Sequence, residues 1–196
     1  MKLALALAIA LGAFAQDIPR VRFETSAGNF LIEVHRDWAP NGAGRFLELV
    51  RAKYYDDSRF FRAVAGKWVQ FGIAGDPHVA QAWRTRTIAD DPVKQSNKEG
   101  FVAFAFTQPG TRSTQIYINL ADNSNQDAQG FAPFARVVEG FDVVKKIYTG
   151  YGETSGGGMR AGKQDRLFEE GNAYLDREFP KLDRIVRVQV AGEARP

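Results

Sequence analysis

An arginine among aromatic residues and two glutamines are the residues of this sequence best suited to chemistry. They fall in three stretches, which are residues 60–72, 115–119 and 130–134. Arg62 and Gln70 belong to the first stretch, Gln115 opens the second, and Phe131 lies in the third. Aromatic side chains can enclose an apolar ring, while guanidinium and amide groups donate hydrogen bonds to polar groups beside it. Together these residues indicate a site that holds a ring next to hydrogen-bond acceptors.

The three stretches resemble, in the same order, parts of the cyclophilin family of peptidyl-prolyl cis-trans isomerases. Residues 60–70 form Phe-x-Arg-x-Val-x-Gly-x-x-x-Gln, which is similar to the signature around the family's catalytic arginine. The resemblance extends from about Val21 to Val190 and includes Ala39-Pro40 and Tyr54-Tyr55-Asp56. An isolated arginine most often forms a surface ion pair, but this surrounding pattern favours catalysis. The resemblance implies that the chain isomerises X-Pro bonds in unfolded or extended polypeptides.

The resemblance also implies roles for individual residues. Arg62 would be catalytic, Gln70 would hydrogen-bond and orient it, and Gln115 would bind the substrate backbone. The main chain of residues 105–107 would pair with the peptide, and Tyr117 would replace a phenylalanine of the proline pocket. The expected substrate-binding residues are Phe60, Lys67, Trp68, Gln70, Ala105, Phe106, Thr107, Gln115, Tyr117 and Phe131.

An arginine can lower the barrier to rotation about an X-Pro bond without a metal or other cofactor. The barrier of ~18–20 kcal/mol comes from amide resonance. A hydrogen bond donated to the prolyl nitrogen strengthens as that nitrogen becomes pyramidal, so it stabilises the transition state more than the ground state. Because a guanidinium keeps its proton at physiological pH, Arg62 is suited to this role. We expect no cofactor, and we expect EDTA to leave the activity unchanged.

Two positions depart from the family's pattern. Lys67 stands where the family usually has the phenylalanine that forms one face of the proline pocket, and a lysine covers apolar surface only with its stem. Phe106 replaces a common asparagine. Residues 123–127 contain no counterpart of the rim tryptophan that is important for cyclosporin, so we expect weak cyclosporin binding at most. These departures leave an alternative, in which the same barrel is a non-catalytic chaperone or scaffold that binds proline-containing peptides.

The periodicity of apolar residues predicts mostly strands. Residues 18–25 and 30–34 alternate as two half-buried strands of a hairpin, and a helical stripe over residues 43–50 follows, with Asn41 as its N-cap. A second helix is expected from Phe141 to Gly150, and a short extra helix over residues 172–179. No long helical pattern appears between Phe60 and Gly140. Further strands are expected at residues 68–73, 101–106, 115–120, 134–138 and 184–191.

This order of elements shows no alternation of strands and helices, which favours an antiparallel barrel over a doubly wound sheet. The resemblance implies a mainly β fold, an eight-stranded antiparallel barrel capped by two helices. We expect one such domain over residues 18–192. Residues 1–15 have the pattern of a signal peptide, with Lys2, an apolar core and a cleavage site at Ala13-Phe14-Ala15. The apolar run is shorter than the ~20 residues that span a bilayer, so we expect export, to the periplasm or outside the cell.

Composition excludes several other functions. The sequence has no cysteine, which excludes disulfides, thiolate nucleophiles and Cys-ligated zinc. His35 and His78 lack neighbours suited to a metal site, and Gly156-Gly157-Gly158 lacks the Lys-Ser/Thr of a phosphate loop. The pairs Asp90-Asp91 and Glu169-Glu170 are expected on solvated loops. The net charge of +3 is spread along the chain, so we expect no nucleic acid as a partner. The resemblance implies proline-containing polypeptides as partners, and we expect a monomer that does not associate with a membrane after the leader is cleaved.

Overall fold

The structure is a computed structural model, and it describes residues 18–154 and 163–193. The predicted signal peptide and the three consecutive glycines therefore lie outside the described residues. Eight strands form a single sheet in which every neighbouring pair is antiparallel, in the order β3-β4-β6-β5-β7-β2-β1-β8. They are β1 Arg20–Thr25, β2 Gly28–Val34, β3 Arg62–Val64, β4 Trp68–Phe71, β5 Phe101–Phe104, β6 Ile116–Asn119, β7 Pro133–Glu139 and β8 Ile185–Val190. The predicted eight-stranded antiparallel sheet is confirmed.

The two edges of the sheet meet just before β3 and β8. Arg59 and Arg184 form an antiparallel bridge. On either side of it, the amide of Phe60 donates to the carbonyl of Asp183 at 3.0 Å, and the amide of Ile185 donates to the carbonyl of Ser58 at 2.8 Å. These bonds close the curled sheet into a barrel.

Aromatic rings fill the interior of the barrel. Phe23 on β1 stacks on Phe30 of β2 with ring centroids 4.6 Å apart, and Phe71 meets Phe23 edge-on at 5.6 Å. All three side chains are buried, and each such burial stabilises the fold by roughly 1.5–3 kcal/mol. β1 alternates as predicted. The prediction of a half-buried strand is wrong for β2, which is buried on both faces from Phe30 to Val34. On its second face the buried carboxylate of Glu33 accepts hydrogen bonds from Arg20 and Arg136.

Helix α1, Pro40–Arg51, packs Ala43, Phe46, Leu47 and Val50 into the core, as the stripe predicted. The predicted N-cap is wrong, since Ala39 occupies the N-cap position and Asn41 lies inside the helix. Two backbone amides of the first turn instead donate hydrogen bonds to the carboxylate of Asp91, from Asn41 N at 3.1 Å and from Gly42 N at 2.8 Å. Asp91 is accordingly buried rather than solvated.

Four further α-helices and one 3-10 helix flank the barrel among the described residues. They are α2 Pro77–Arg84, the 3-10 helix Ser124–Gln129, α3 Phe141–Lys146, α4 Asp165–Glu170 and α5 Asn172–Glu178. Helix α5 confirms the predicted extra helix, whereas α2 was not expected. Helix α3 is shorter than predicted, because the chain becomes extended at Ile147 and the amide of Tyr148 donates to Asp183 at 2.8 Å. Within residues 18–154 and 163–193, no helix has the length and apolar character needed to cross a bilayer.

Candidate functional site

A cavity of about 580 Å³ opens beside strands β3, β4 and β6. It brings together ten of the eleven residues that the sequence predicts for the site. These are Arg62, Lys67, Trp68, Gln70, Ala105, Phe106, Thr107, Gln115, Tyr117 and Phe131. They come from four separate parts of the chain, and the curvature of the sheet gathers them on one side.

Phe60 is the predicted site residue that the structure does not place at the cavity. Its ring is fully buried in the barrel and meets Phe71 edge-on, with ring centroids 5.3 Å apart. Its backbone lies at the barrel closure, where its amide bonds to Asp183. Phe60 is therefore a core residue, and its assignment to the substrate site is corrected.

Strand register places three of the site residues side by side. Arg62 on β3 lies opposite Gln70 on β4, and Gln70 lies opposite Tyr117 on β6. Directly opposed residues of antiparallel strands lie on the same face of the sheet. Strands β3, β4 and β6 thus present a guanidinium, an amide and a phenol ring on one surface.

Hydrogen bonds fix the orientation of the two glutamines. Arg62 Nη1 donates to Gln70 Oε1 at 2.9 Å, and Gln70 Nε2 donates to Gln115 Oε1 at 2.8 Å. Because a guanidinium has donors and no acceptor, the amide oxygen of Gln70 must face it, and the amide nitrogen is then directed to Gln115. Gln70 is buried, so its predicted part in orienting Arg62 has a direct geometric basis.

Two more contacts hold Arg62. Its Nη2 donates to Glu153 Oε1 at 2.6 Å, and its guanidinium carbon lies 4.9 Å from the ring centroid of Trp68, within the range of a cation–π interaction. The Nε atom of Arg62 is buried, and no acceptor bonds it among the described residues. The guanidinium is thus fixed on several sides while part of its donor capacity stays unused by the protein.

Aromatic rings form the wall of the cavity beside Arg62. Phe131 lies 4.3 Å from Phe106 and 5.8 Å from Tyr117, measured between ring centroids, and Tyr117 lies 6.5 Å from Trp68. Successive rings meet at 41°, 77° and 66°, and all four rings line the concave cavity. Such a surface suits a small apolar ring.

Tyr117 presents its ring to the cavity while its hydroxyl is held behind the wall. The hydroxyl donates to Asn97 Oδ1 at 2.8 Å and lies 3.1 Å from Gln126 Oε1. Burial, together with the nearby negative charge of Asp127, raises the pKa of Tyr117 far above its ordinary value. The phenol therefore stays neutral and serves as a wall of the pocket.

Asn97 and Asp127 support this wall and were not predicted. Asn97 Nδ2 lies 2.8 Å from both Asp127 Oδ1 and the carbonyl oxygen of Phe131. Asp127 also accepts a bond from Ser96 Oγ at 2.5 Å. Burial alone would raise the pKa of Asp127, but the hydrogen bonds from Ser96 and Asn97 lower it below its ordinary value. Asn97 lies outside every strand and helix, so no periodic signal marked it.

Lys67 lies at the rim of the cavity. The residue is exposed, and its Nζ atom lies 5.9 Å from the ring centroid of Trp68. Trp68 is half-buried, with the guanidinium of Arg62 and the ammonium of Lys67 both near its ring. The aromatic face next to Arg62 is therefore supplied by Trp68, and the ammonium remains in solvent.

Three residues that were not predicted for the site also line the cavity. Arg84 of α2, Phe168 of α4 and Gln164 line the cavity. Arg84 is ion-paired with Asp165, and its guanidinium carbon lies 4.2 Å from the ring centroid of Phe168. Across residues 18–154 and 163–193, no three His, Asp or Glu side chains are grouped so that they could hold a metal ion.

The fold is shared with solved cyclophilin structures. A Cryptosporidium parvum cyclophilin type peptidyl-prolyl cis-trans isomerase superposes with a TM-score of 0.65 at 16% identity, over 91% of this chain and 100% of that chain. A structure of the same Cryptosporidium parvum protein in the presence of the dipeptide Ala-Pro gives a TM-score of 0.63 at 17% identity, over 89% of this chain and 99% of that chain.

Sequence comparisons identify the family. Peptidyl-prolyl cis-trans isomerase B of Escherichia coli is 33% identical over 65% of this chain and 82% of its own length. Peptidyl-prolyl cis-trans isomerase-like 1 of Rhizopus delemar is 31% identical over 76% of this chain and 86% of its own length. The family model described as cyclophilin type peptidyl-prolyl cis-trans isomerase/CLD matches residues 20–168. The chain therefore belongs to the cyclophilin-type peptidyl-prolyl cis-trans isomerase family.

Proposed function

We propose that this protein isomerises X-Pro bonds of polypeptides and that Arg62 is its catalytic residue. The observation that carries the proposal is the position of Arg62, held by Gln70 and Glu153 at the edge of a concave aromatic wall. Family membership supports the reaction, and the related structure obtained with Ala-Pro supports a proline-containing peptide as the substrate class.

In this mechanism the proline ring packs against Phe131, Tyr117 and Trp68, while Gln115 bonds to the peptide backbone. Arg62 donates to the prolyl nitrogen through the second N–H of Nη1 or Nη2, because Gln70 and Glu153 each take one N–H of these atoms and Nε is buried. This bond is weak while the nitrogen lone pair is delocalised and strong once it is localised, so it acts on the twisted transition state. No bond to the protein forms or breaks, and the guanidinium keeps its proton throughout.

The test compares cis-trans exchange in a short X-Pro peptide by NMR for the wild type, Arg62→Ala and Arg187→Ala. Arg187 is the control because it lies on β8 and pairs with Glu24, away from the cavity. We expect acceleration by the wild type and the control, and a loss of about tenfold or more in Arg62→Ala, as typical when one transition-state donor is removed. Equal acceleration by Arg62→Ala would remove Arg62 from the mechanism.

A second candidate function is binding of proline-containing segments without turnover. The exposed position of Lys67 at the rim favours it, because a lysine adds less apolar contact than the phenylalanine usual in the family. In the same exchange experiment, peptide binding without acceleration by the wild type would establish this alternative. Retention of both Arg62 and Gln70 favours the enzyme, since a binding module does not need an oriented guanidinium.

We further propose that the protein is exported and acts on exported chains as a monomer. Support comes from the signal-peptide pattern of residues 1–15, with cleavage after Ala15. N-terminal sequencing of protein from the extracytoplasmic fraction should begin at Gln16; retention of Met1 in the cytoplasmic fraction would contradict export. Light scattering tests the monomer.

Cyclosporin binding should be weak at most. The cavity rim at this position is the 3-10 helix Ser124–Gln129, which contributes the polar residues Asn125 and Gln126 and no tryptophan. Titration of cyclosporin against inhibition of exchange tests this proposal. Full inhibition once the cyclosporin concentration equals the protein concentration would indicate tight binding and contradict the proposal.

A further inference from the structure

The proposed catalytic arginine belongs to a hydrogen-bonded series of polar side chains that includes two residues from the region between α3 and α5. Glu153, after α3, bonds to Arg62, and Gln164, the residue before α4, accepts a bond from Gln115 Nε2 at 2.7 Å. We propose that Glu153 and Gln164 are positioning residues, which hold Arg62 and Gln115 in the geometry that the reaction needs. Because the inference rests on the proposed isomerase activity, its test must separate the two.

The direction of each hydrogen bond in this series of side chains is fixed by which atoms are donors and which are acceptors. Arg62 supplies only donors, so the amide oxygens of Gln70 and Gln115 both point back toward it. The amide nitrogen of Gln115 is then left to donate, and Gln164 Oε1 is the acceptor that receives it. Without that acceptor, the Gln115 side chain loses the contact that fixes its far end. The amide expected to bind the substrate backbone would then sample more rotamers.

Gln164 is built into a rigid support. It is buried, with 7% of its surface exposed, and although it occupies the N-cap position of α4 its side chain does not cap the helix. Leu167 and Phe168 of α4 are buried, and α4 packs against α2. The ion pair between Arg84 and Asp165 ties the two helices together. The side chain of Gln164 is therefore held against Gln115 by the packing of α4.

Glu153 acts on Arg62, as Gln164 acts on Gln115. It bonds to Nη2 of Arg62, whereas Gln70 bonds to Nη1, so the planar guanidinium is held at both of its terminal nitrogens. A bond between a carboxylate and a guanidinium is charge-assisted and stronger than one between neutral groups. The side chain of Arg62 is only 16% exposed, which limits screening of this pair by solvent. Glu153 thus restricts the rotation that would carry the remaining donors away from the prolyl nitrogen.

The two positions are expected to affect different kinetic parameters. Loss of the acceptor at Gln164 loosens a group that binds substrate, so Gln164→Leu should raise KM by about two- to tenfold, the worth of one hydrogen bond. Gln164→Glu keeps an acceptor at that place and should restore KM toward the wild-type value. Glu153→Ala loosens the group that acts in the transition state, so kcat should fall by about tenfold or more, and Glu153→Gln should be intermediate.

The experiment measures kcat and KM by exchange NMR for these four variants, for Arg62→Ala and for the exposed neighbour Lys163→Ala as a control. Side-chain NMR signals of Gln115 and Arg62 are recorded alongside, and thermal unfolding confirms that each variant is folded. The proposal predicts a shifted Gln115 amide signal in Gln164→Leu and a shifted Arg62 guanidinium signal in Glu153→Ala. Wild-type kinetics in folded Gln164→Leu and Glu153→Ala, with Arg62→Ala inactive, would overturn this inference alone. An inactive wild type would overturn the proposed function, while the NMR shifts would still report the positioning contacts.

Discussion

The carboxylate of Asp91 lies 2.8 Å from the amide nitrogen of Gly42 and caps helix α1 from a distant part of the chain. A second bond joins the same carboxylate to the amide of Asn41. The N-cap residue itself is Ala39, which has no side-chain acceptor. A loop thus supplies what the sequence around the helix lacks, and it ties α1 to the chain between α2 and β5.

Asp91→Ala should lower the free energy of unfolding by about 0.5–2 kcal/mol, the range for loss of a helix N-cap. Urea unfolding followed by circular dichroism measures the difference. Asp142→Ala is a suitable control, because Asp142 lies in the first turn of α3 with 74% of its side chain exposed. If Asp91→Ala were no less stable than Asp142→Ala, the capping role would be wrong.

Lys67→Phe should strengthen binding of a proline-containing peptide. A phenylalanine at the rim would bury apolar surface that the exposed ammonium leaves uncovered, and part of the roughly 1.5–3 kcal/mol for a fully buried side chain would appear as affinity. We expect KM to fall by about three- to tenfold in exchange NMR, on the same basis. Lys67→Ala separates the loss of charge from the gain of a ring. Equal effects of the two substitutions would point to charge alone.

Tyr117→Phe should reduce stability more than activity. The variant keeps the ring on the pocket wall but leaves Asn97 without a hydroxyl partner, at a cost of about 0.5–1.5 kcal/mol. Because the phenol is neutral, the variant should also keep the wild-type dependence of kcat on pH. Phe131→Ala, which removes a ring from the same wall, should instead weaken substrate binding. A pH profile altered by Tyr117→Phe would show that the hydroxyl takes part in the reaction.

Asp127 should make stability fall in acid. Its folded-state pKa lies below the ordinary value, so the ionised carboxylate stabilises the fold at pH values above the unfolded pKa of about 3.9. That contribution is lost as the pH falls through the lower folded-state pKa, where Asp127 binds a proton. Unfolding free energies measured from pH 7 downwards should decline less steeply below about pH 4 in Asp127→Asn than in the wild type. Identical slopes would exclude Asp127 as a contributor.

Glu33 provides an independent comparison on the other side of the barrel. Burial would raise its pKa, but hydrogen bonds from Arg136 and Arg20 lower it. Protonation of Glu33 in acid should therefore lower the free energy of unfolding, as protonation of Asp127 does. Because the two carboxylates have no bonding partner in common among the described residues, their effects should add in the double variant Asp127→Asn with Glu33→Gln.

Regular periodicity made most of the fold predictable. The alternation of Val21 and Phe23 indicated β1, and the stripe through Phe46 and Leu47 indicated α1, because each pattern reports one buried face. Helix α2 was not predicted because it has only 8 residues and Ala80 is the one buried residue among them. Its start was still marked, since Asp76 accepts a bond from the amide of His78 and Pro77 occupies the first turn.

The site residues that face each other within one hairpin could be predicted from the sequence. The site residues that are distant in sequence and meet only through tertiary packing could not. Arg62 and Gln70 lie within one hairpin, so their spacing in sequence reported their contact. Glu153 and Gln164 reach the site only through tertiary packing, and no local pattern distinguishes them from surface residues. Phe60 was misplaced because a residue near a catalytic motif can equally well serve the core beneath it.

The pairing of β1 with β8 delays completion of the sheet during synthesis. Val21 of β1 pairs with Val190 of β8, so this edge of β1 has no partner until the ribosome has synthesised β8. Until then the backbone N–H and C=O groups on this edge are unpaired, and an unpaired strand edge can associate with other chains. Pairing over such a separation is also slow. A member of a family of prolyl isomerases therefore completes its own sheet only after β8 has been synthesised, through a pairing that spans most of the described residues.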